Sequence, residues 1–135
     1  MIYSYQKHID SLRTVEISLP VDGMDRLGTE LATVDGTTYV YLPDTVTLPA
    51  QSPEITVESV TLTPELLDAI KAASPHVRLI DVRVVEHIRQ RYSIDDEMKS
   101  LRTAPSDESS ACFAYIEECR AWGQAEKAKI GLGTI

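Results

Sequence analysis

The spacing of apolar residues changes near residue 62. Before that point they recur at every second position in short runs; after it they recur every three or four. The first period belongs to strands and the second to helices. Tyr3 and Tyr5 alternate with polar neighbours and predict an initial strand. Thr14–Leu19 alternates as well, with Val15, Ile17 and Leu19 on one side, until Pro20 ends the run and Val21-Asp22-Gly23 predicts a turn. Asp35-Gly36 lies between two β-prone runs within Thr29–Leu42. This dipeptide is a strong hairpin signal, because both turn positions require positive φ. A two-residue turn there sets Leu31 opposite Val40 and Thr33 opposite Thr38 on one face. Ala32 then faces Tyr39, and Glu30 faces Tyr41, on the other. Both faces are only partly apolar, so the pair needs covering. Pro43, Pro49 and Pro53 impose an extended path. Ile55–Leu62 predicts one more short strand, with Ile55, Val57 and Ser59 on one side.

Beyond residue 62 the chain reads as helices, each with its own start signal. Thr63-Pro64-Glu65 opens the first, with Leu62 and Leu67 placed for a hydrophobic staple and Leu66, Ile70 and Ala73 as its buried stripe. Ser74-Pro75 opens the second, since serine caps and proline fits the first helical position. One face of that helix collects Val77, Ile80, Val84, Ile88 and Tyr92, with Asp81 as a polar exception. The β-branched Val82, Val84 and Val85 favour a strand instead, but alternation fails at Leu79–Ile80 and at Val84–Val85. Ser93 opens a third helix with Asp95, Asp96 and Glu97 in its first turn and Ile94, Met98 and Leu101 as a narrow apolar stripe; Pro105 ends it. Ser106 or Asp107 caps the fourth, whose inner face is Cys112, Tyr115, Ile116, Cys119 and Trp122. Gly123 is a weak point inside it and Gly131 its stop. The expected fold is therefore α+β: a hairpin-containing β-rich module with a proline-rich connector over residues 1–62, then a bundle of three to four short helices over residues 63–135.

Composition narrows the class. At 135 residues, 43% hydrophobic and 25% charged, this is one domain or two small modules sharing a core. No apolar run approaches the ~20 residues that cross a bilayer. The opening MIYSYQKHID lacks a signal peptide's basic start and apolar segment, which predicts synthesis into the cytoplasm. The net charge of −8 argues against nucleic acid and anionic membrane as partners. Residues 1–75 carry four basic and eleven acidic side chains, whereas residues 76–104 carry six and five. An acidic front and an Arg-rich middle favour docking in a preferred orientation.

Candidate chemistry is sparse. The chain has no Gly-rich phosphate loop, HExxH, CxxC or serine-hydrolase elbow, so no catalytic, cofactor-binding or metal-ligating residue is assigned. Asp95, Asp96 and Glu97 invite a metal, but neighbouring helical positions point about 100° apart, and first-turn acids serve the cap and dipole. Cys112 and Cys119 lie two turns apart, ~10.5 Å, beyond bridging distance. His8, His76 and His87 show no ligand spacing. Arg83, Arg89 and Arg91 suit a phosphate or carboxylate, or a solvated face paired with Glu86 and nearby acids. Trp122 suits either a partner anchor or the core, and Tyr39 and Tyr41 either a subunit interface or ordinary strand packing.

The stretches DGTTYVYLPDTVTLPAQ, ITVESVTLTPELLDAIKAASP, LIDVRVVEHIRQRYSIDDEMKSLR and AYIEECRAWGQAEKAKIGL resemble, in that order, small proteins encoded beside the tail-fibre and baseplate genes of tailed bacteriophages. The likeness covers residues 28–132 and is most specific at Ile88–Arg102 and Glu118–Leu132; residues 1–27 depart from it. It carries no catalytic motif. The resemblance implies a structural role in the virion tail as a connector or adaptor, or a companion role in fibre assembly. It further implies other tail proteins, and copies of this chain, as partners.

Overall fold

The computed structural model describes residues 1–23 and 25–133. Its eight strands are β1 Ile2–Gln6, β2 His8–Asp10, β3 Arg13–Thr14, β4 Val21–Asp22, β5 Asp25–Arg26, β6 Thr29–Val34, β7 Thr37–Tyr41 and β8 Glu58–Val60. Four helices follow: α1 Pro64–Ala73, α2 Pro75–Arg91, α3 Ile94–Thr103 and α4 Asp107–Lys129. The main sheet is antiparallel in the order β6-β7-β1-β8, and two two-stranded ribbons, β2-β3 and β4-β5, stand beside it. The expected α+β class is the observed one.

The hairpin forms where the sequence places it. Asp35 and Gly36 have φ of 50° and 81°, the left-handed pair that a two-residue turn needs. Val34–Thr37, Thr33–Thr38 and Ala32–Tyr39 pair in the expected register. Beyond Ala32 the register slips, so that Val40 faces Glu30 and Tyr41 faces Thr29. The expected Leu31–Val40 and Glu30–Tyr41 pairs are not made. A bulge at Leu31 adds one unpaired residue to β6, which allows Leu31 and Ala32 to enter the same core cluster.

Two expected strands are shorter than their alternation suggests. Of Thr14–Leu19 only Thr14 lies in a strand, although Val15, Ile17 and Leu19 are half-buried and the intervening Glu16 and Ser18 exposed. The Val15 amide still donates to the Lys7 carbonyl at 2.7 Å, and beyond it Ser18 meets the proline-rich path rather than a strand. There the Gln51 side chain takes the place of a ladder: its Oε1 accepts from the Ser18 amide at 2.6 Å, and its Nε2 donates to the Ser18 carbonyl at 2.9 Å. Of Ile55–Leu62 only β8 pairs, with β1, and Ser59 is exposed rather than grouped with Ile55 and Val57. The expected turn at Val21–Gly23 centres on Gly23, because Val21–Asp22 pair with Asp25–Arg26.

All four helices begin at their expected caps. Thr63, Ser74, Ser93 and Ser106 each accept a hydrogen bond from the amide three residues on. In α1 the buried pair is Leu67 and Ile70; Leu66 is half-buried and Ala73 exposed, so the stripe sits one position round from its expected place.

Two core clusters result. The first joins Ile2, Leu31 and Ala32 of the sheet to Leu67, Ile70, Val77 and Leu132, taking side chains from both sides of residue 62. The second joins Ile88 of α2 to Cys112, Ile116 and Cys119 of α4, with Val84, Tyr92 and Tyr115 at its edge. Helices α2 and α4 approach closely at Gly123, where a Cβ would lie 2.6 Å from Cγ2 of Val84. The glycine read as a weak point is thus a packing requirement. Lys127 Nζ, 2.7 Å from Asp81 Oδ1, ties the same two helices. At the end of α4, Gly131 has φ of 79°, and a Cβ there would lie 2.5 Å from the Tyr41 ring.

Candidate interaction surfaces

The residues singled out from the sequence occupy different settings and do not form one site. Tyr39 and Tyr41 are half-buried and pack against the first core cluster, with Tyr41 lying over Gly131. They anchor the sheet to the helical half instead of facing outward, because β7 is an interior strand and its odd-numbered side chains point towards the helices. Trp122 is half-buried, with its ring 4.8 Å from that of His87, so it closes the α2–α4 seam.

The three arginines do not converge. Arg89 Nη1 lies 2.6 Å from Glu97 Oε2 and donates to the Tyr92 carbonyl at 3.2 Å, bracing the junction between α2 and α3. The Arg91 guanidinium stands 4.9 Å above the Tyr115 ring and 5.6 Å from that of Tyr92. Arg83 is exposed and has no ion-pair partner among the described residues. A shared phosphate grip by these three is therefore not built.

The acidic turn of α3 acts as a cap. Asp96 accepts from the Ser93 amide at 2.8 Å while Ser93 Oγ accepts from the Asp96 amide at 3.0 Å. The Ser93 amide first, and its hydroxyl second, hold the Asp96 carboxyl below the usual aspartate value. Glu97 goes to Arg89, and Asp95 is exposed. Among the described residues no three His, Cys, Asp or Glu side chains gather to hold a metal.

Cys112 and Cys119 are buried free thiols. Tyr115 beside them donates its hydroxyl to the His87 carbonyl at 2.8 Å, and burial, assisted by the Cys119 thiol, raises its pKa. His76 is exposed near the start of α2, ~16 Å along the helix from His87.

What faces outward is apolar side chains on α2 and α3. On α2, Leu79, Val82 and Val85 are 48%, 47% and 52% exposed; on α3, Ile94, Met98 and Leu101 are 61%, 56% and 69% exposed. Val82 and Val85, with Lys71, Ala72, Arg78 and Asp81, line an open groove of about 480 Å³ between α1 and α2. The surplus valines of α2 that favoured a strand supplied the signal for this surface. That helix has more apolar positions than its inner face can hold.

The α3 stripe was legible as a stripe, but its direction was not. Helix α3 turns Ser100, its one buried residue, and Glu97 towards its neighbours, which leaves the stripe outside. Among the described residues, no helix is long and apolar enough to cross a membrane. Comparison with protein-family models, curated proteins and solved structures finds no match.

Proposed function

We propose that this chain is a non-enzymatic structural protein of a bacteriophage tail, an adaptor at the tail-fibre or baseplate region that works through protein–protein interfaces. The observation that carries the interface reading is the outward apolar face of α2. Leu79, Val82 and Val85 lie beside a groove whose rim holds Lys71, Arg78 and Asp81. An apolar floor within a charged rim is the anatomy of a protein-docking surface. The tail assignment rests on the resemblance of residues 28–132. A cytoplasmic companion of tail-fibre assembly is the second reading, since the same outward face suits a transient client.

Mass spectrometry of purified virions tests the lead reading and separates the two. A virion component is found in stoichiometric amounts; a chaperone is present in the infected-cell lysate and absent from particles, and that absence refutes the adaptor. Val82→Asp with Val85→Asp, which leaves both core clusters intact, is expected to abolish incorporation into particles.

A further inference from the structure

We infer that α3 pairs with α3 of a second copy of this chain, antiparallel, about a two-fold axis near Met98. On a helix of 3.6 residues per turn, Ile94, Met98 and Leu101 fall within about 60° of one another, the spacing of a short coiled-coil seam. All three are more than half exposed, so the seam has no partner among the described residues.

The charges beside the seam identify the occupant. Asp95 and Arg102 lie on the same flank, about 80–100° round from Ile94, on the side away from Glu97 and Ser100. Both are exposed, and among the described residues neither has an ion-pair partner. In contrast, the neighbouring Asp96 and Glu97 are engaged by Ser93 and Arg89. Asp95 and Arg102 are ~10.5 Å apart along the helix and cannot pair with each other. A two-fold axis perpendicular to the helix brings the same flank of both copies together in reversed direction, so each aspartate meets the other copy's arginine. That axis pairs Ile94 with Leu101, Met98 with Met98 and Asp95 with Arg102. All three pairings centre within one residue of position 98. A parallel pair would instead carry this flank to opposite sides of the seam, so that neither Asp95 nor Arg102 meets its counterpart in the other copy. The stripe and the charges are thus self-complementary in one arrangement only.

The pair is weak. Three side chains from each copy, with their flanking stems, fall below the ~1,200 Å² of a standard interface. It forms at high concentration, or where copies are held together on a common scaffold at an effective concentration on the order of mM. The inference concerns the isolated chain and does not depend on what the α2 groove binds.

Sedimentation equilibrium of the purified full chain tests it. The expected result is a monomer–dimer equilibrium that Met98→Glu abolishes. Asp95→Arg and Arg102→Asp each weaken the dimer by about tenfold, since each places two like-charged pairs across the axis. An equimolar mixture of these two variants regains association, because the mixed dimer restores both opposite-charge contacts. A monomer up to about 1 mM wild-type protein overturns the inference, as does a dimer indifferent to Met98→Glu or a mixture that fails to regain association. Failure here leaves incorporation into virions untouched, and the two results are read from different samples.

Discussion

Gly123 offers a sharp test of the α2–α4 packing. In an exposed helix interior, replacing glycine by alanine stabilises by about 1 kcal/mol. At position 123 the added methyl would sit 2.6 Å from Val84 Cγ2, roughly 0.8 Å inside the 3.4 Å at which ordinary contact begins. Val84 is β-branched and has no flexible end to swing away. Relief therefore requires either an off-rotamer valine, at about 0.5–1.5 kcal/mol, or separation of the two helices around the buried Ile88–Ile116 cluster. Overpacking of this kind typically costs about 1–3 kcal/mol. Set against the gain in propensity, Gly123→Ala should destabilise by about 1 kcal/mol and lower Tm by roughly 4 °C. Urea unfolding of Gly123→Ala, Val84→Ala and the double variant measures both terms. Once Val84 is cut back the alanine should be neutral or stabilising, giving a coupling of about 1 kcal/mol or more. A single Gly123→Ala variant that is more stable than wild type by about 1 kcal/mol, with no coupling to position 84, would refute the close approach.

Three further outcomes are expected. Gly36→Ala should lose about 1–2 kcal/mol in urea unfolding, since the residue sits at φ of 81° in the β6–β7 turn. The Asp96 carboxyl is held below its ordinary value of 3.8, so its contribution to stability is present above that pH and is lost as pH falls through the lower folded value. Asp96→Asn should accordingly reduce the acid dependence of thermal unfolding between about pH 5 and pH 2, and an unchanged pH profile would count against the capping box. Cys112 and Cys119 are buried, at 0% and 6% exposure. Both should react with a thiol reagent only at the rate of unfolding, and fast labelling in native buffer would place them outside the α2–α4 seam.

Local signals in the sequence survive in the structure and non-local ones do not. The Asp35-Gly36 turn and the caps at Thr63, Ser74, Ser93 and Ser106 depend on neighbouring backbone, and each stands where the residues put it. The bulge at Leu31 depends on what lies across the sheet. Leu31 must reach the cluster that Ala32 also enters, and no pattern within β6 contains that requirement. The alternation of Val15, Ile17 and Leu19 correctly separates inner from outer positions. It misses the pairing because the facing segment is interrupted by prolines, which cannot donate to a ladder, and a glutamine side chain substitutes. Tyr39 and Tyr41 invite an interface because each face of the isolated hairpin is incomplete. The structure completes that face with Leu67, Ile70 and Leu132.

The α3 stripe shows why periodicity alone does not distinguish a core face from a docking face. Ile94, Met98 and Leu101 satisfy the same spacing rule as Ile80, Val84 and Ile88, yet only the second set is covered. The roll of α3 is fixed by polar contacts: Glu97 reaches Arg89 at 2.6 Å, and Ser100 is buried at 8% exposure. A serine at that position lets the helix lie close to its neighbours without offering an apolar side chain to them. Turning the helix inward would bury the stripe at about 1.5–3 kcal/mol per side chain. It would also break the Arg89–Glu97 contact and rotate the Ser93–Asp96 cap away from the chain that enters it. At ten residues, between Ser93 and Ala104, α3 is too short to satisfy both demands. The chain keeps its junction and leaves the apolar face for another molecule.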